Sequence, residues 1–145
     1  MDIEAIKQEA VDNEHLRLLE LFHYISGGLS VLISSFFIIH LTFMSFMLKN
    51  ADQFMPTSGK TAPIAPEQFM GIFVVIFGTV IALGISYGIA QIISGRFIKK
   101  RRHRVFSMIV AIPNILFIPY GTILAIMTLM VLDRKSIKAH YEQAK

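Results

Sequence analysis

Residues 105–132 read VFSMIVAIPNILFIPYGTILAIMTLMVL and decide how many times the chain crosses a membrane. This run contains no Asp, Glu, Lys or Arg, and two further runs of the same kind occupy residues 21–48 and 68–95. Each run has 28 residues, whereas roughly 20 are enough for a helix to cross the hydrocarbon core. A soluble domain of this size could not cover three such runs, because helices around a small core keep a polar face. The sequence therefore predicts an all-α, polytopic transmembrane helix bundle.

Two prolines interrupt the run 105–132. Pro113 and Pro119 lack a backbone N–H and disfavour helical geometry at the residue that precedes them. Around Pro119 the sequence suits a type I turn, since Gly121 takes its fourth position and Thr122 is then placed to cap a second helix. The run is therefore interpreted as a Pro/Gly-broken helical hairpin, with a single kinked span as the alternative.

The distribution of Lys and Arg favours the hairpin. Basic residues number two before the first run, two between the first and second, six between the second and third, and four after the third. A single last crossing leaves eight on one side and six on the other, whereas a hairpin with arms 105–118 and 122–132 leaves twelve and two. Cytoplasmic segments carry the excess of Lys and Arg, so both termini are expected in the cytoplasm. The first arm has 14 residues, about 21 Å of helix, which is short of a full crossing and keeps the three-span alternative open.

The segments outside the runs are polar. Residues 1–15 are predicted to be a polar N-terminal tail or a loosely helical surface segment, residues 16–132 the transmembrane domain, and residues 133–145 a basic C-terminal tail. Asp12 and Asn13 are placed to cap a helix that begins near Glu14. The acidic start is the reverse of a secretory signal peptide, so the first run is expected to stay in the mature protein. Three prolines with Ser, Gly and Thr in residues 49–67 predict an exposed loop.

The second run is rich in small residues at helical spacing. Several of them follow one another at steps of four, and a Gly-x-x-x-Gly pair lies beside that stripe. In lipid, small residues let helix backbones approach closely. The predicted helix-packing residues are Gly78, Ala82, Gly84, Ser86, Gly88 and Ala90.

A basic segment follows the second run directly. Its residues predict contact with anionic lipid headgroups, at about 1 kcal/mol for each basic residue near the surface. A nucleic-acid partner is not predicted, because the patch is held at the bilayer and has few stacking aromatic residues. The predicted headgroup-binding residues are Arg96, Lys99, Lys100, Arg101, Arg102 and Arg104.

A few polar residues interrupt the apolar runs. His40 lies deep in the first run, and Asn114 lies next to Pro113 in the last run, which also contains the break at Pro119 and Gly121. An ionisable residue within a span is a functional-site hypothesis by default, so these four form the candidate intramembrane site. The alternative is that His40, Asn114 and Gln91 simply donate hydrogen bonds to neighbouring helices.

Catalytic and cofactor sites are not predicted. The chain has no cysteine, no carboxylate within a run and no His/Glu metal spacing. His23 and His40 are 17 residues apart, about 25 Å along a helix, so one haem cannot bridge them. The sequence therefore predicts a protein that is not an enzyme and that holds neither a metal ion nor another cofactor.

Three stretches resemble a widespread group of small bacterial membrane proteins to which no activity is assigned. They are LRLLELFHYISGG (16–28), IIHL (38–41) and SGRFIKKRRHRVFSMIVAIPNILFIPYGTILAIMTLMVLDR (94–134). The chain departs from the group at Ala125, where a second glycine often follows. The resemblance implies a multi-pass protein of the bacterial inner membrane. It rests on Phe22, His23, Tyr24, Gly27, Gly28, His40, Gly95, Arg96, Arg101, Arg102, Pro119, Gly121 and Thr122.

Two functions remain open at this point. The absence of catalytic groups and the small-residue face favour a scaffold or accessory subunit that acts through helix–helix association, as a homo-oligomer or within a membrane complex. The alternative is an ion channel or small transporter that uses His40 and the break at Pro119–Gly121, because broken helices at membrane depth often mark such sites.

Overall fold

A computed structural model describes residues 3–50 and 66–143 and contains no β-strand in them. A 3-10 turn, Ile112–Leu116, follows the third helix. Two helices are long and apolar enough to cross a membrane, over residues 6–49 and 70–99. The helices are α1 (Ile3–Lys49), α2 (Pro66–Lys99), α3 (Arg104–Ala111), α4 (Tyr120–Asp133) and α5 (Lys135–Gln143).

The chain divides into two compact units. The hairpin unit comprises the described residues of 1–29 and 87–145, and the two-helix unit comprises those of 30–86. The predicted loop 49–67 lies mostly outside the described residues.

The run 105–132 folds back on itself within the hairpin unit. Helix α3 packs against α4, and Arg104 Nη2 at the start of the run lies 3.3 Å from Asp133 Oδ1 at its end. Pro113 lies in the first turn of the 3-10 segment, where its missing N–H removes no established helical hydrogen bond. Thr122 lies inside α4 and does not cap it; its hydroxyl donates to the Ile115 carbonyl at 2.9 Å.

The apolar core of the hairpin unit is built by four helices. Leu132 and Ile137 are fully buried in it. Burial of such side chains stabilises by roughly 1.5–3 kcal/mol each when the alternative is water. The core residues are Leu16, Leu19, Ile98, Leu124, Val131, Leu132, Ile137 and Tyr141.

The predicted N-terminal segment 1–15 is helical from Ile3 onward, and the cap predicted at Asp12 or Asn13 is wrong. Helix α1 begins at Ile3, so Asp12 lies inside the helix and does not cap it. Its side chain is 1% exposed. Asp12 Oδ1 accepts a hydrogen bond from Gln8 Nε2 at 3.0 Å and pairs with Arg134 Nη1 at 3.1 Å. The Asp12 carboxylate therefore pairs with Arg134, which is distant in sequence, and not with the backbone N–H groups of a helix start.

The predicted C-terminal tail over residues 133–145 also differs from the structure. Residues Lys135–Gln143 form α5, a short helix with one apolar side. Ile137 and Tyr141, four residues apart on that side, are 0% and 7% exposed. Helix α5 is therefore part of the folded unit.

The two-helix unit buries very little. Among its described residues only Ser34 and Ile81 are buried. Ser30 Oγ donates to the Gly84 carbonyl at 3.0 Å. A Cβ on Gly84 would collide with the Ser34 hydroxyl, so the two helices approach at this glycine. Contact here depends on small residues, as in membrane helices generally.

Candidate functional site

Polar side chains from three parts of the hairpin unit meet around Gln91. Gln91 Nε2 lies 2.7 Å from Asn114 Oδ1, 3.0 Å from Tyr87 Oη and 3.2 Å from Ser26 Oγ. Gln91 is fully buried and Asn114 is 2% exposed. We call Ser26, Tyr87, Gln91 and Asn114 the polar cluster; it joins α1, α2 and the turn after α3.

The Tyr87 hydroxyl and the Gln91 amide each have more acceptors within reach than hydrogens to donate. The Tyr87 hydroxyl has one proton but lies 2.9 Å from both Val110 O and Asn114 Oδ1. The Gln91 amide has two hydrogens and three acceptors within reach. Gln91 Oε1 and Asn114 Nδ2 are buried without a partner among the described residues. The cluster therefore holds both a spare acceptor and a spare donor.

Local sequence explains the position of Asn114. The 3-10 turn that starts beside Pro113 ends at Leu116, and the Phe117 N–H donates to the Asn114 carbonyl at 3.0 Å. The chain then returns so closely that a Cβ on Gly121 would collide with that carbonyl oxygen. A residue without a side chain is thus required at position 121.

His23 is a second buried polar group on α1. It is 0% exposed, and its Nδ1 lies 2.9 Å from the Leu19 carbonyl. A carbonyl accepts, so Nδ1 carries the proton and Nε2 keeps a lone pair. Nε2 has no partner in the described part of the chain. His23 lies one helical turn before Ser26.

The predicted intramembrane site is brought together only in part. Asn114 and Gly121 are in direct contact, and Pro119 lies between α3 and α4 in the turn, with a cis Ile118–Pro119 peptide bond. His40 belongs to the two-helix unit and its side chain is exposed. Tyr87 and Ser26 were not identified from the sequence as members of this site. Tyr87 could have been found, because it lies four residues before Gln91 and therefore on the same face of the helix.

The six predicted helix-packing residues fall into two groups. Gly84 and Gly88 lie at close approaches: a Cβ on Gly27 would come within 2.6 Å of the Gly88 carbonyl oxygen. Ala90 is half-buried. Ala82 and Ser86 are exposed, and a Cβ on Gly78 would meet no described atom within 4 Å.

The six predicted headgroup residues also have different environments. Lys99 Nζ lies 3.2 Å from Glu20 Oε1, and Arg104 pairs with Asp133. Arg101, in a left-handed backbone conformation with φ of 49°, donates to the Asn13 side chain. Arg96, Lys100 and Arg102 are exposed.

Amides and hydroxyls dominate the polar cluster. Such groups do not exchange protons readily near neutral pH, so the cluster is better suited to hydrogen bonding than to acid–base catalysis. Within residues 3–50 and 66–143, no group of three His, Asp or Glu side chains is arranged to hold a metal ion.

Comparison with models of protein families, with curated protein sequences and with solved structures finds no match to this chain. The resemblance to small bacterial membrane proteins therefore stays a prediction.

Proposed function

We propose that this chain is a bacterial inner-membrane protein without enzymatic activity, which self-associates through one face of α2 and so acts as a scaffold or accessory subunit. That face comprises Gly78, Ala82 and Ser86, and we call it the outer small-residue face. Its occupant is a second copy of the chain.

Membrane insertion is supported by the apolar surface of the two long helices. In the most apolar 18-residue stretch of each helix, only 6% and 11% of the residues, respectively, are buried within the chain. Phe36 and Val75, for example, are 66% and 68% exposed. In water this surface would be unfavourable, whereas lipid tails are as apolar as the side chains.

The proposed orientation is supported by contacts at one end of the hairpin unit. Asp12 near the start of α1 pairs with Arg134 after α4, and Lys99 at the end of α2 pairs with Glu20. The basic loop, the N-terminal part of α1 and α5 then share one side of the membrane. The positive-inside rule makes that side cytoplasmic.

The observation that carries the proposed association is that the outer small-residue face has no partner among the described residues. Gly84 is used within the chain, against Ser34. Gly78, four residues from Ala82, meets no described atom within 4 Å, and both Ala82 and Ser86 are exposed. Small residues at steps of four on a membrane helix are suited to close helix pairing.

The absence of cysteine makes a crosslinking test direct. Ala82→Cys in membranes should form a disulfide-linked dimer on mild oxidation, because two such faces in contact bring the sulfurs together. The matched control is Leu83→Cys, one residue along and 65% exposed. Dimer yield that is equal at the two positions, or absent at both, would refute self-association through this face. Recovery of a different protein crosslinked to position 82 would replace the second copy with a heterologous subunit.

A second test separates association from folding. Gly78→Leu adds a side chain where the chain offers open space, so it should abolish dimers and leave monomer unfolding unchanged. Gly84→Leu forces a collision with Ser34 and should instead destabilise the two-helix unit. Analytical ultracentrifugation and unfolding in detergent measure the two effects. A Gly78→Leu variant that still dimerises contradicts the proposal.

A channel or transporter is the second candidate, favoured by the unsatisfied atoms of the hairpin unit. Buried His23 Nε2, Gln91 Oε1 and Asn114 Nδ2 lack partners in the described residues. Polar groups at membrane depth often mark a pathway. Ion flux into liposomes, with Asn114→Ala and His40→Ala as variants, tests it: flux abolished by either change supports transport, and no flux in any ionic condition excludes it.

A further inference from the structure

A cavity opens between the basic loop and the C-terminal helix of the hairpin unit. Its volume is about 720 Å³, and Arg102, Arg104, Lys138 and Tyr141 contribute to its wall. Arg102 lies in the loop between Arg101 and His103, which both adopt left-handed backbone conformations with φ of 49°. Arg104 begins α3, and Lys138 and Tyr141 lie on α5.

The charge of this wall is positive. Four cationic side chains line it, among them Arg102 and Lys138, against one carboxylate, Glu142. Asp133 neutralises part of the excess, since its Oδ1 lies 2.7 Å from Lys138 Nζ and 3.3 Å from Arg104 Nη2. Arg102 is exposed, and the described residues offer its guanidinium no ion pair. The cavity therefore favours an anion.

Two buried donors on the wall point to the kind of anion. The Tyr141 hydroxyl and Arg104 Nε are each buried without a hydrogen-bond partner among the described residues. Tyr141 is 7% exposed. Burial raises the pKa of its hydroxyl to about 12, in spite of the opposing effect of Arg101 and Arg104, so the group keeps its proton at neutral pH. A guanidinium has donors only. The missing partner must therefore supply acceptor oxygens.

The wall also has an apolar part. Val105 and Phe106, the first residues of the apolar run, lie beside the arginines. Val105 is 65% exposed. A ligand with a compact charged head and an apolar body would contact both regions.

We propose that this cavity is a binding site for a phosphate group, held by Arg102, Arg104, Lys138 and the Tyr141 hydroxyl. A phosphate offers several strong acceptor oxygens around one negative centre, which suits arginine donors and a phenolic O–H. The phosphate can belong to an anionic phospholipid or to a soluble ion. The lipid source rests on the membrane location proposed above; the soluble source does not.

Binding is measured by calorimetry on the full chain in an uncharged detergent. The probes are inorganic phosphate, dioctanoyl phosphatidic acid, and dioctanoyl phosphatidylcholine as the zwitterionic control. Saturable binding of phosphatidic acid, with none for the other two, supports the site and identifies a lipid source. Saturable binding of inorganic phosphate with similar affinity supports the site and identifies a soluble source.

Tyr141→Phe is the decisive variant, because it removes one hydroxyl without changing charge or volume appreciably. It should weaken binding about five- to tenfold. The free energy of unfolding without ligand should be equal to or greater than that of the parent chain. Arg102→Gln should weaken binding about tenfold or more. Its matched control is Lys100→Gln, which removes the same charge from an exposed residue of the same loop that does not line the cavity.

Three results would overturn the proposal. One is the absence of saturable binding for every probe. Another is an equal loss for Arg102→Gln and Lys100→Gln, which indicates attraction to a diffuse basic surface only. The third is unchanged affinity in Tyr141→Phe. None of these outcomes depends on dimerisation, so they are distinct from a failure of the crosslinking test.

Discussion

The hairpin unit and the two-helix unit contain parts of the same two long helices, yet they are held together differently. In the hairpin unit the inner side of α1 is buried at Asp12, Leu16, Leu19 and His23. In the two-helix unit the continuation of the same helix buries Ser34 alone among the described residues. This difference in burial along α1 corresponds to a difference in the chemical character of the two units.

Near the charged end of the hairpin unit, apolar burial from water can contribute to stability. Its core residues are close in sequence to four ion pairs of the described residues. In the two-helix unit the outward surface is apolar. If that surface faces lipid, burying it yields no hydrophobic gain, and close backbone contact at Gly84 stabilises the helix pair instead. The apolar core cluster thus belongs to the hairpin unit.

The largest expected effect comes from a substitution that creates a void in the apolar core of the hairpin unit. Leu132 is 0% exposed, so Leu132→Ala should lower the free energy of unfolding by about 2–5 kcal/mol. The matched variant is Leu83→Ala in the two-helix unit, where the side chain is 65% exposed. It should change that free energy by less than about 0.5 kcal/mol. Both are measured by unfolding in mixed detergent micelles.

Equal destabilisation by the two leucine variants would remove the distinction between the units. It would mean that Leu83 is covered in the folded protein by something other than lipid or detergent. A monomeric preparation distinguishes that case, because a loss seen only in dimers belongs to the association and not to the unit.

A smaller effect is expected at the polar cluster. Gln91→Leu and Asn114→Leu each remove one side of the 2.7 Å hydrogen bond. A double-mutant cycle should give a coupling of about 0.6 kcal/mol and at most about 1.7 kcal/mol, the range for hydrogen bonds between membrane helices. Ser35→Ala, which removes only an exposed bond to Val31 O in the two-helix unit, should be nearly neutral. A coupling of zero would show that the two amides act independently.

Sequence reasoning was accurate where local chemistry dominates. Charge-free length identified the two long helices, and Pro113 was recognised as a break, which the structure has as a 3-10 turn. The structure differs from the expectation near both ends of the described chain. Asp12 resembles a helix cap until Arg134, more than a hundred residues away, is known to reach it. Helix α5 is polar enough to resemble a tail until Ile137 and Tyr141 are seen to be buried.

The candidate sites show the same limit. Asn114 was identifiable as a polar residue beside Pro113 in an apolar run, and Gly121 because it follows Pro119 at the spacing of a turn. The role of Tyr87 was not, since an aromatic residue in a span is ordinary and only the approach of Val110 O and Asn114 gives its hydroxyl a function. The cavity beside α5 required knowledge that α5 folds against the basic loop.

The smallest expected effect is a pH dependence at the base of the hairpin. The hydrogen bond and charge of Lys138, helped by Arg104, hold the pKa of the Asp133 carboxyl below its ordinary value of 3.8. A carboxyl whose pKa is lowered by folding stabilises the folded state above its unfolded pKa, and this contribution disappears as the pH falls through the folded pKa. Asp133 is exposed, so the contribution is small and salt weakens it. The melting temperature of the parent chain should exceed that of Asp133→Asn at pH 6. The difference should vanish at low pH, once the carboxyl is protonated, and shrink in high salt. A difference that is independent of pH would show that the Asn side chain perturbs packing at the end of α4, and that the charge of Asp133 does not hold the two arms together.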